Sequence, residues 1–228
     1  MSAGARVAVA GRELSLSNLD KVLYPETGTT KGEVIDYYRR VAPALLPHLQ
    51  GRALTLKRYP NGVDGGHFYE KRCPSHRPRW VRVAPLGGDR RGAPIPYCVV
   101  DDLPSLVWVA NLASLELHTS LALAENYARP TAMVFDLDPG EPATVVECAR
   151  VAQEIREVLD GLGLSCWAKS SGSKGLQVYA PLNTPVTYDD TKSFAFALAS
   201  LLERRRPREV VSDMRKDLRR GKVFIDWS

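Results

Sequence analysis

The sequence predicts an α+β fold, and three observations predict it. Amphipathic helical stretches open on capping residues. Short apolar runs between them are punctuated by Asn61-Gly62, Gly65-Gly66 and Gly87-Gly88. The second half orders its elements strand, helix, strand, strand, helix, strand, which is the split βαβ arrangement of antiparallel α+β domains.

Taken in order, Arg6 to Leu16 alternates as a strand or hairpin. Thr30-Lys31-Gly32-Glu33 is a capping box, in which hydroxyl and carboxylate each satisfy a free backbone N–H. Val34, Tyr37, Tyr38, Val41 and Leu45 continue at helical spacing, and Pro43 predicts a kink or stop. Leu54 to Tyr59, His67 to Lys71, Trp80 to Ala84 and Tyr97 to Val100 read as strands. A helix follows Asp102, with Pro104 in its first turn and an apolar stripe of Leu106, Val109, Ala110, Ala113 and Leu117. This places His118 near a helix end.

The second half predicts a strand at Ala132 to Leu137 and a helix at Thr144 to Leu162. Strands follow at Leu164 to Lys169 and Leu176 to Ala180, then a helix at Tyr188 to Arg204 and a last strand at Lys222 to Asp226.

The 228 residues, 44% hydrophobic and 25% charged, suffice for one large domain or two small lobes and exclude a disordered tail or a fibrous repeat. Lys and Arg number 31 against 26 Asp and Glu, a net charge of +5 that permits a polyanionic partner without specifying one. No apolar run approaches the ~18 residues that span a bilayer, and Val7 to Ala10 is too short for a secretory core. Cys73, Cys98, Cys148 and Cys166 are widely spaced, which predicts reduced thiols rather than disulfides. Cys73-Pro-Ser-His76 is half of a zinc pattern with no second half in view.

Three segments carry chemistry. In Val134-Phe135-Asp136-Leu137-Asp138-Pro139-Gly140, strand alternation turns Asp136 and Asp138 to one face and Met133, Phe135 and Leu137 to the other. Paired hard oxygens of this kind accept Mg²⁺ or Mn²⁺, and they equally suit an exposed strand end. Ser170-Ser171-Gly172-Ser173-Lys174-Gly175 offers hydroxyls, backbone N–H groups and a lysine to a phosphate, or serves as an ordinary hairpin turn. The cationic run Arg215 to Lys222 leads into an apolar strand ending in Asp226. Either it is a solvated loop, or Asp226 joins the other two carboxylates in a two-metal phosphoryl-transfer site.

In combination these motifs resemble the polymerase (primase-polymerase) domain of bacterial ligase D, within the archaeo-eukaryotic primase superfamily. The resemblance runs from about Leu16 to Ser228. It rests on residues 20–31 (DKVLYPETGTTK), 57–63 (KRYPNGV), 68–71 (FYEK), 116–118 (ELH), 135–140 (FDLDPG), 171–176 (SGSKGL) and 221–228 (GKVFIDWS). It implies a single primase-polymerase-like domain of two closely packed mixed or antiparallel sheets flanked by helices. An N-terminal lobe would cover about residues 1–130 and a catalytic lobe about 131–228, with the C-terminal end of the family domain missing.

The implied activity is a nucleotidyltransferase that adds nucleotides, with ribonucleotides preferred, to 3′-hydroxyl DNA ends in non-homologous end joining. Two divalent ions, Mn²⁺ or Mg²⁺, would sit on Asp136, Asp138 and Asp226. The nucleoside triphosphate would be held by Ser171, Lys174, Gln177, His118, Lys57, Arg219 and Lys222. Lys21 and Lys31 would grip the 5′-phosphate of the downstream strand, and Phe68 and Tyr69 would stack at the template bend.

Bare residue reading makes Lys21 and Lys31 surface lysines and, because neighbours on a strand face opposite ways, puts at least one of Phe68 and Tyr69 in the core. The implied partners are DNA ends bearing a 5′-phosphate, with Ku and a DNA ligase as candidate companions. The implied location is cytoplasmic, at the nucleoid and away from membranes. One departure concerns Gln177, which stands where the family has histidine and cannot carry positive charge. Two rival readings follow from the same residues: a non-catalytic DNA-end-binding module, and a metal-dependent nuclease or phosphatase.

Overall fold

A hairpin opens the chain. β1 (Ala5–Val9) and β2 (Arg12–Leu16) pair antiparallel across Ala10 and Gly11, both at positive φ (45° and 77°), as a two-residue turn matched to strand twist requires. A second small ribbon, β3 (Val22–Tyr24) and β4 (Thr29–Thr30), runs straight into α1 (Lys31–Leu49). The capping box forms as the sequence predicts: Thr30 accepts from the Glu33 N–H and the Glu33 carboxylate accepts from the Thr30 N–H at 2.7 Å. The predicted break at Pro43 does not occur, and α1 runs through both Pro43 and Pro47. Both prolines lie on the exposed side, where water can meet the carbonyls their missing N–H groups leave free.

β5 (Arg52–Arg58), β6 (Phe68–Glu70), β7 (Arg82–Leu86) and β8 (Ile95–Val99) form a sheet in the order β6-β5-β8-β7. α2 (Leu103–Asn111) is capped by Asp102, whose carboxylate accepts from the Ser105 N–H. It stops earlier than its apolar stripe predicts. Ala113 takes a φ of 56°, and residues Ser114–Leu123 form a ten-residue strand, β9, paired along the other side of β5. Leu117 and His118 therefore belong to a strand, not to a helix end. Leu54 and Leu56 face a core closed by Val34, Ile35 and Tyr38 of α1 and Leu106, Val109 and Ala110 of α2.

The cysteine expectation is also corrected. Cys73 and Cys98 are joined in a disulfide, whereas Cys148 and Cys166 are free. Spacing in sequence could not foresee this, because the strand frame closes the gap: the Cys73 N–H donates to the Pro96 carbonyl at 2.7 Å beside β8. The bond also removes Cys73 from any zinc set.

From Ala128 the chain builds a second unit. The computed structural model describes residues 4–228, and they divide into two compact units, the first ending at Tyr127 and the second running Ala128–Ser228. The second holds β10 (Ala132–Pro139), α3 (Val145–Gly161), β11 (Trp167–Ser170), β12 (Leu176–Pro181), α4 (Tyr188–Arg205), β13 (Val210–Val211) and β14 (Val223–Asp226). Its sheet order, β11-β12-β10-β14-β13, is antiparallel except at the β13–β14 edge. The βαββαβ order expected from the sequence thus closes with one extra edge strand. Met133, Phe135, Leu137, Val178, Ala180, Val223 and Ile225 all turn to the face covered by α3 and α4, where Ile155, Leu159 and Leu202 are fully buried. The opposite face carries Asp136, Asp138, Gln177 and Asp226, with Phe224 buried across from Asp138.

Candidate functional site

On that opposite face Asp136 of β10 lies directly across from Asp226 of β14, and Asp138 is two residues further along β10. Paired residues on antiparallel strands point the same way with Cα atoms about 4.5–5.5 Å apart, and residues two apart on one strand share a face. The three carboxylates predicted from sequence therefore share one face. Asp138 is exposed and the other two are half-buried.

The electrostatics are unbalanced. Burial pushes the Asp136 carboxyl above its ordinary range and the charges of Asp138 and Asp226 push it further, against a Gln177 hydrogen bond and the Lys169 charge. Asp136 Oδ1 is buried without a hydrogen-bond partner, an arrangement that costs free energy unless something polar fills it. Asp226 Oδ1 accepts from the Ser228 N–H at 3.0 Å and hydroxyl at 2.8 Å. Among the described residues no three His, Cys, Asp or Glu groups are already drawn together as a cation cage. The donors are nevertheless all hard oxygens, one of them unpartnered, and this set fits a divalent cation.

Gln177 of β12 flanks Asp136 on the side away from Asp226. Its carbonyl oxygen accepts from the Tyr179 hydroxyl at 3.1 Å, which leaves its amide N–H groups for Asp136. The predicted phosphate loop is a tight hairpin: the Ser171 N–H donates to the Gly175 carbonyl, and Ser171 Oγ accepts from the N–H groups of Ser173 and Gly175. Lys174 meets Glu141 at 3.2 Å, both well exposed. The other two cations expected here are engaged. Arg219 stacks its guanidinium 3.6 Å from the Phe224 ring centroid and donates to the Met214 carbonyl, and Lys222 donates to the Pro207 carbonyl at 2.6 Å.

The remaining predicted residues lie in the first unit, divided between the two faces of β5. Lys57 takes the face away from the helices, where it pairs with Glu116 at 2.7 Å. His118 Nε2 lies 3.0 Å from the same carboxylate, which also accepts from the Tyr59 hydroxyl. Burial alone would raise the Glu116 carboxyl, but hydrogen bonds from Lys57, Tyr59 and His118 outweigh it and hold it at about 2. Lys57 rises in turn through the Glu116 and Tyr59 hydrogen bonds. Glu116 is the hub that the sequence showed only as part of a motif.

Arg58 takes the other direction, into a cleft of about 600 Å³ that it lines with Ser17, Asn18, Lys21, Lys31 and His76. The β3–β4 ribbon brings Lys21 and Lys31 together, since the Lys31 N–H donates to the Lys21 carbonyl at 2.8 Å. Lys31 is not a surface residue. It is 5% exposed, and its ammonium donates to the Ser17 carbonyl at 2.6 Å. Burial, followed by the charges of Lys21 and Arg58, lowers it to about 8. Arg58 is paired with Glu70 at 2.9 Å, and with Lys21 and Lys31 against Glu13 it leaves the cleft lining net positive, which favours an anion.

Phe68 and Tyr69 correct the expectation of a core residue, because β6 is an edge strand and both rings are exposed (43% and 58%). They do face opposite ways: Phe68 lies under Arg58 at 5.3 Å, while Tyr69 meets Lys57 at 5.5 Å and His118 at 5.6 Å.

A family model described as "LigD, primase-polymerase domain" matches residues 30–228. The multifunctional non-homologous end joining DNA repair protein LigD of Mycobacterium tuberculosis (strain H37Rv) is 42% identical over 225 residues, covering 95% of this chain and 29% of its own length. The bifunctional non-homologous end joining protein LigD of Bacillus subtilis is 30% identical over 216 residues, covering 94% of this chain and 34% of its own. The chain thus spans about a third of the length of these relatives. A solved structure of the polymerase domain from Mycobacterium tuberculosis ligase D in complex with DNA superposes with a TM-score of 0.88 at 41% identity. It covers 94% of this chain and 77% of that one.

Proposed function

The chain belongs to the LigD primase-polymerase domain family, and from that premise we propose that it is a metal-dependent nucleotidyltransferase. It extends the 3′-hydroxyl of a DNA end, with ribonucleotides preferred, across a gap whose far side carries a 5′-phosphate, in non-homologous end joining. The observation that carries this reading is the register of Asp136 against Asp226 with Asp138 on the same face.

Asp136, Asp138 and Asp226 would hold two divalent cations, Mn²⁺ or Mg²⁺. Bound there, such ions neutralise charge at the reacting phosphate and lower the pKa of the attacking hydroxyl. The 3′-oxygen forms a bond to the α-phosphorus as the α–β phosphoanhydride breaks. Pyrophosphate leaves with the bonding electrons, and the hydroxyl proton passes to water. Ser171 and Lys174 hold the departing phosphates, Lys174 exchanging Glu141 for a phosphate oxygen. Arg219 and Lys222 require a change of partner before they can join them. Lys57 and His118, aligned by Glu116, contact the incoming nucleotide, and Gln177 steadies Asp136. Lys21, Lys31 and Arg58 take the 5′-phosphate, and the exposed rings of Phe68 and Tyr69 stack on template bases, at about 1–3 kcal/mol per base. Ku and a ligase are the partners that this role calls for, at the nucleoid.

A gap-filling assay on DNA with a 5′-phosphorylated downstream strand, run with each metal and nucleotide type, tests the proposal. Asp138→Ala should abolish divalent-dependent extension and leave binding of the phosphorylated end nearly intact. Undiminished extension by that variant would refute the reading. Loss of full-length substrate instead of its elongation would point to a nuclease. Gln177, which cannot carry positive charge, favours one second reading, an end-binding module without turnover. Tight binding with no extension under any metal would select it.

A further inference from the structure

We propose that Lys169 is a nucleotide-phosphate-binding residue, supplying the positive charge on the carboxylate face that Gln177 lacks; the inference rests on the nucleotidyl-transfer reading above. Lys169 of β11 is in register with Gln177 of β12, Gln177 with Asp136 of β10, and Asp136 with Asp226 of β14. These pairings put four side chains in one row across four neighbouring strands, all turned to the same face. The row reads cation, amide, carboxylate, carboxylate.

The side-chain contacts agree with the register. The Lys169 ammonium lies 5.6 Å from the centroid of the Tyr179 ring, and the Tyr179 hydroxyl donates to Gln177. Lys169 thus faces the ring whose hydroxyl is bound to its register partner Gln177.

The other cations proposed for this site have partners of their own in the structure, which they must exchange to meet a phosphate. Lys174 pairs with Glu141, Arg219 covers Phe224 and bonds the Met214 carbonyl, and Lys222 bonds the Pro207 carbonyl. Of these four cations, Lys169 alone lies on a strand position in register, through Gln177, with the carboxylates. A ligand that places metal-bound phosphate oxygens against Asp136 must direct its remaining anionic oxygens somewhere. Neighbouring strands are about 4.8 Å apart, so Lys169 starts about two spacings from Asp136, within reach of a flexible lysine and a triphosphate tail. Lysine suits this role as a mobile point charge.

The test is equilibrium binding of a nucleoside triphosphate with Mn²⁺ to the whole chain, alongside KM and kcat for gap filling. Lys169 is exposed, so Lys169→Met should fold normally, as circular dichroism can check. It is expected to bind triphosphate about tenfold more weakly, as loss of one charge-assisted contact implies. KM should rise by the same factor with kcat little changed and affinity for the 5′-phosphorylated end unaltered. Lys169→Arg should stay near wild type, and Gln177→His placed in Lys169→Met should recover most of the loss by restoring a cation one strand nearer. Triphosphate binding by Lys169→Met within twofold of wild type would overturn the inference alone. Failure of the wild-type chain to bind any triphosphate would overturn the parent reading and this one with it.

Discussion

The cation cleft of the first unit and the carboxylate face of the second treat charge in opposite ways. In the cleft every ammonium is already held: Lys31 by the Ser17 carbonyl, Lys21 by the Pro60 carbonyl and Asn61. On the carboxylate face like charges stand side by side and a buried oxygen has no partner. A held cation is positioned before its ligand arrives, so less ordering is left to do on binding. A row of repelling carboxylates instead waits for its counter-ions. The difference predicts that end recognition is independent of divalent metal, whereas nucleotide handling requires it.

The harshest way to break the comparison is to disrupt one unit alone. A Cβ on Gly140 would lie 1.9 Å from the Arg219 carbonyl oxygen and 2.6 Å from its carbon, backbone that cannot swing aside. Gly140→Ala should destabilise the second unit by about 3 kcal/mol, read as a lower urea midpoint. An unchanged midpoint would mean that this close approach does not exist. The matching blow to the first unit is Cys98→Ser, which opens the loop between Cys73 and Cys98 (sequence separation 25). Loop-closure entropy puts the loss at about 3 kcal/mol. The wild-type midpoint should fall similarly when a thiol reductant is added, and a midpoint indifferent to reductant would contradict the bond.

Lys31→Met sharpens the contrast at smaller cost. The preference for 5′-phosphate over 5′-hydroxyl ends should drop about tenfold, with metal dependence of extension unaffected. The pH profile gives the sign. Lys31 is lowered to about 8 in the free protein, and phosphate binds the ammonium form, so the preference should be full below that value and decline as pH climbs past it. A preference flat to pH 9.5 would remove Lys31 from the site.

The smallest expected effect is on Glu116→Gln. The carboxyl is held at about 2 against an ordinary 4.5, so its stabilising share is present above 4.5 and is lost as pH falls toward 2. Because it is partly exposed, the difference from wild type should be no more than about 1 kcal/mol at neutral pH, and should vanish near pH 2.

Local chemistry made much of this molecule legible in its sequence. Thr30 and Glu33 announce α1 because both halves of a capping box lie within one turn. Asp136 and Asp138 are readable as a pair because strand alternation is a rule of period two. What stayed hidden depends on partners far along the chain. Leu106 to Leu117 keeps an unbroken helical period, and only the pairing of β9 with β5 reveals that the helix has ended by Ala113. The Cys73–Cys98 bond, the exposure of both Phe68 and Tyr69, and the burial of Lys31 likewise follow from which strand lies beside which. Lys169 is the clearest case, since nothing near it in sequence hints at a register with Asp136.

That register has a further consequence. Sliding β14 by one residue against β10 would turn Asp226 inward and Ile225 outward, exchanging a carboxylate for an apolar side chain in the space under α3 and α4. Such a misthreaded chain would forfeit its oily interior together with its cluster of three carboxylates. Hydrophobic sorting during folding therefore proofreads the alignment of the acidic groups, and a population that has reached the native state carries them aligned without any separate step of assembly.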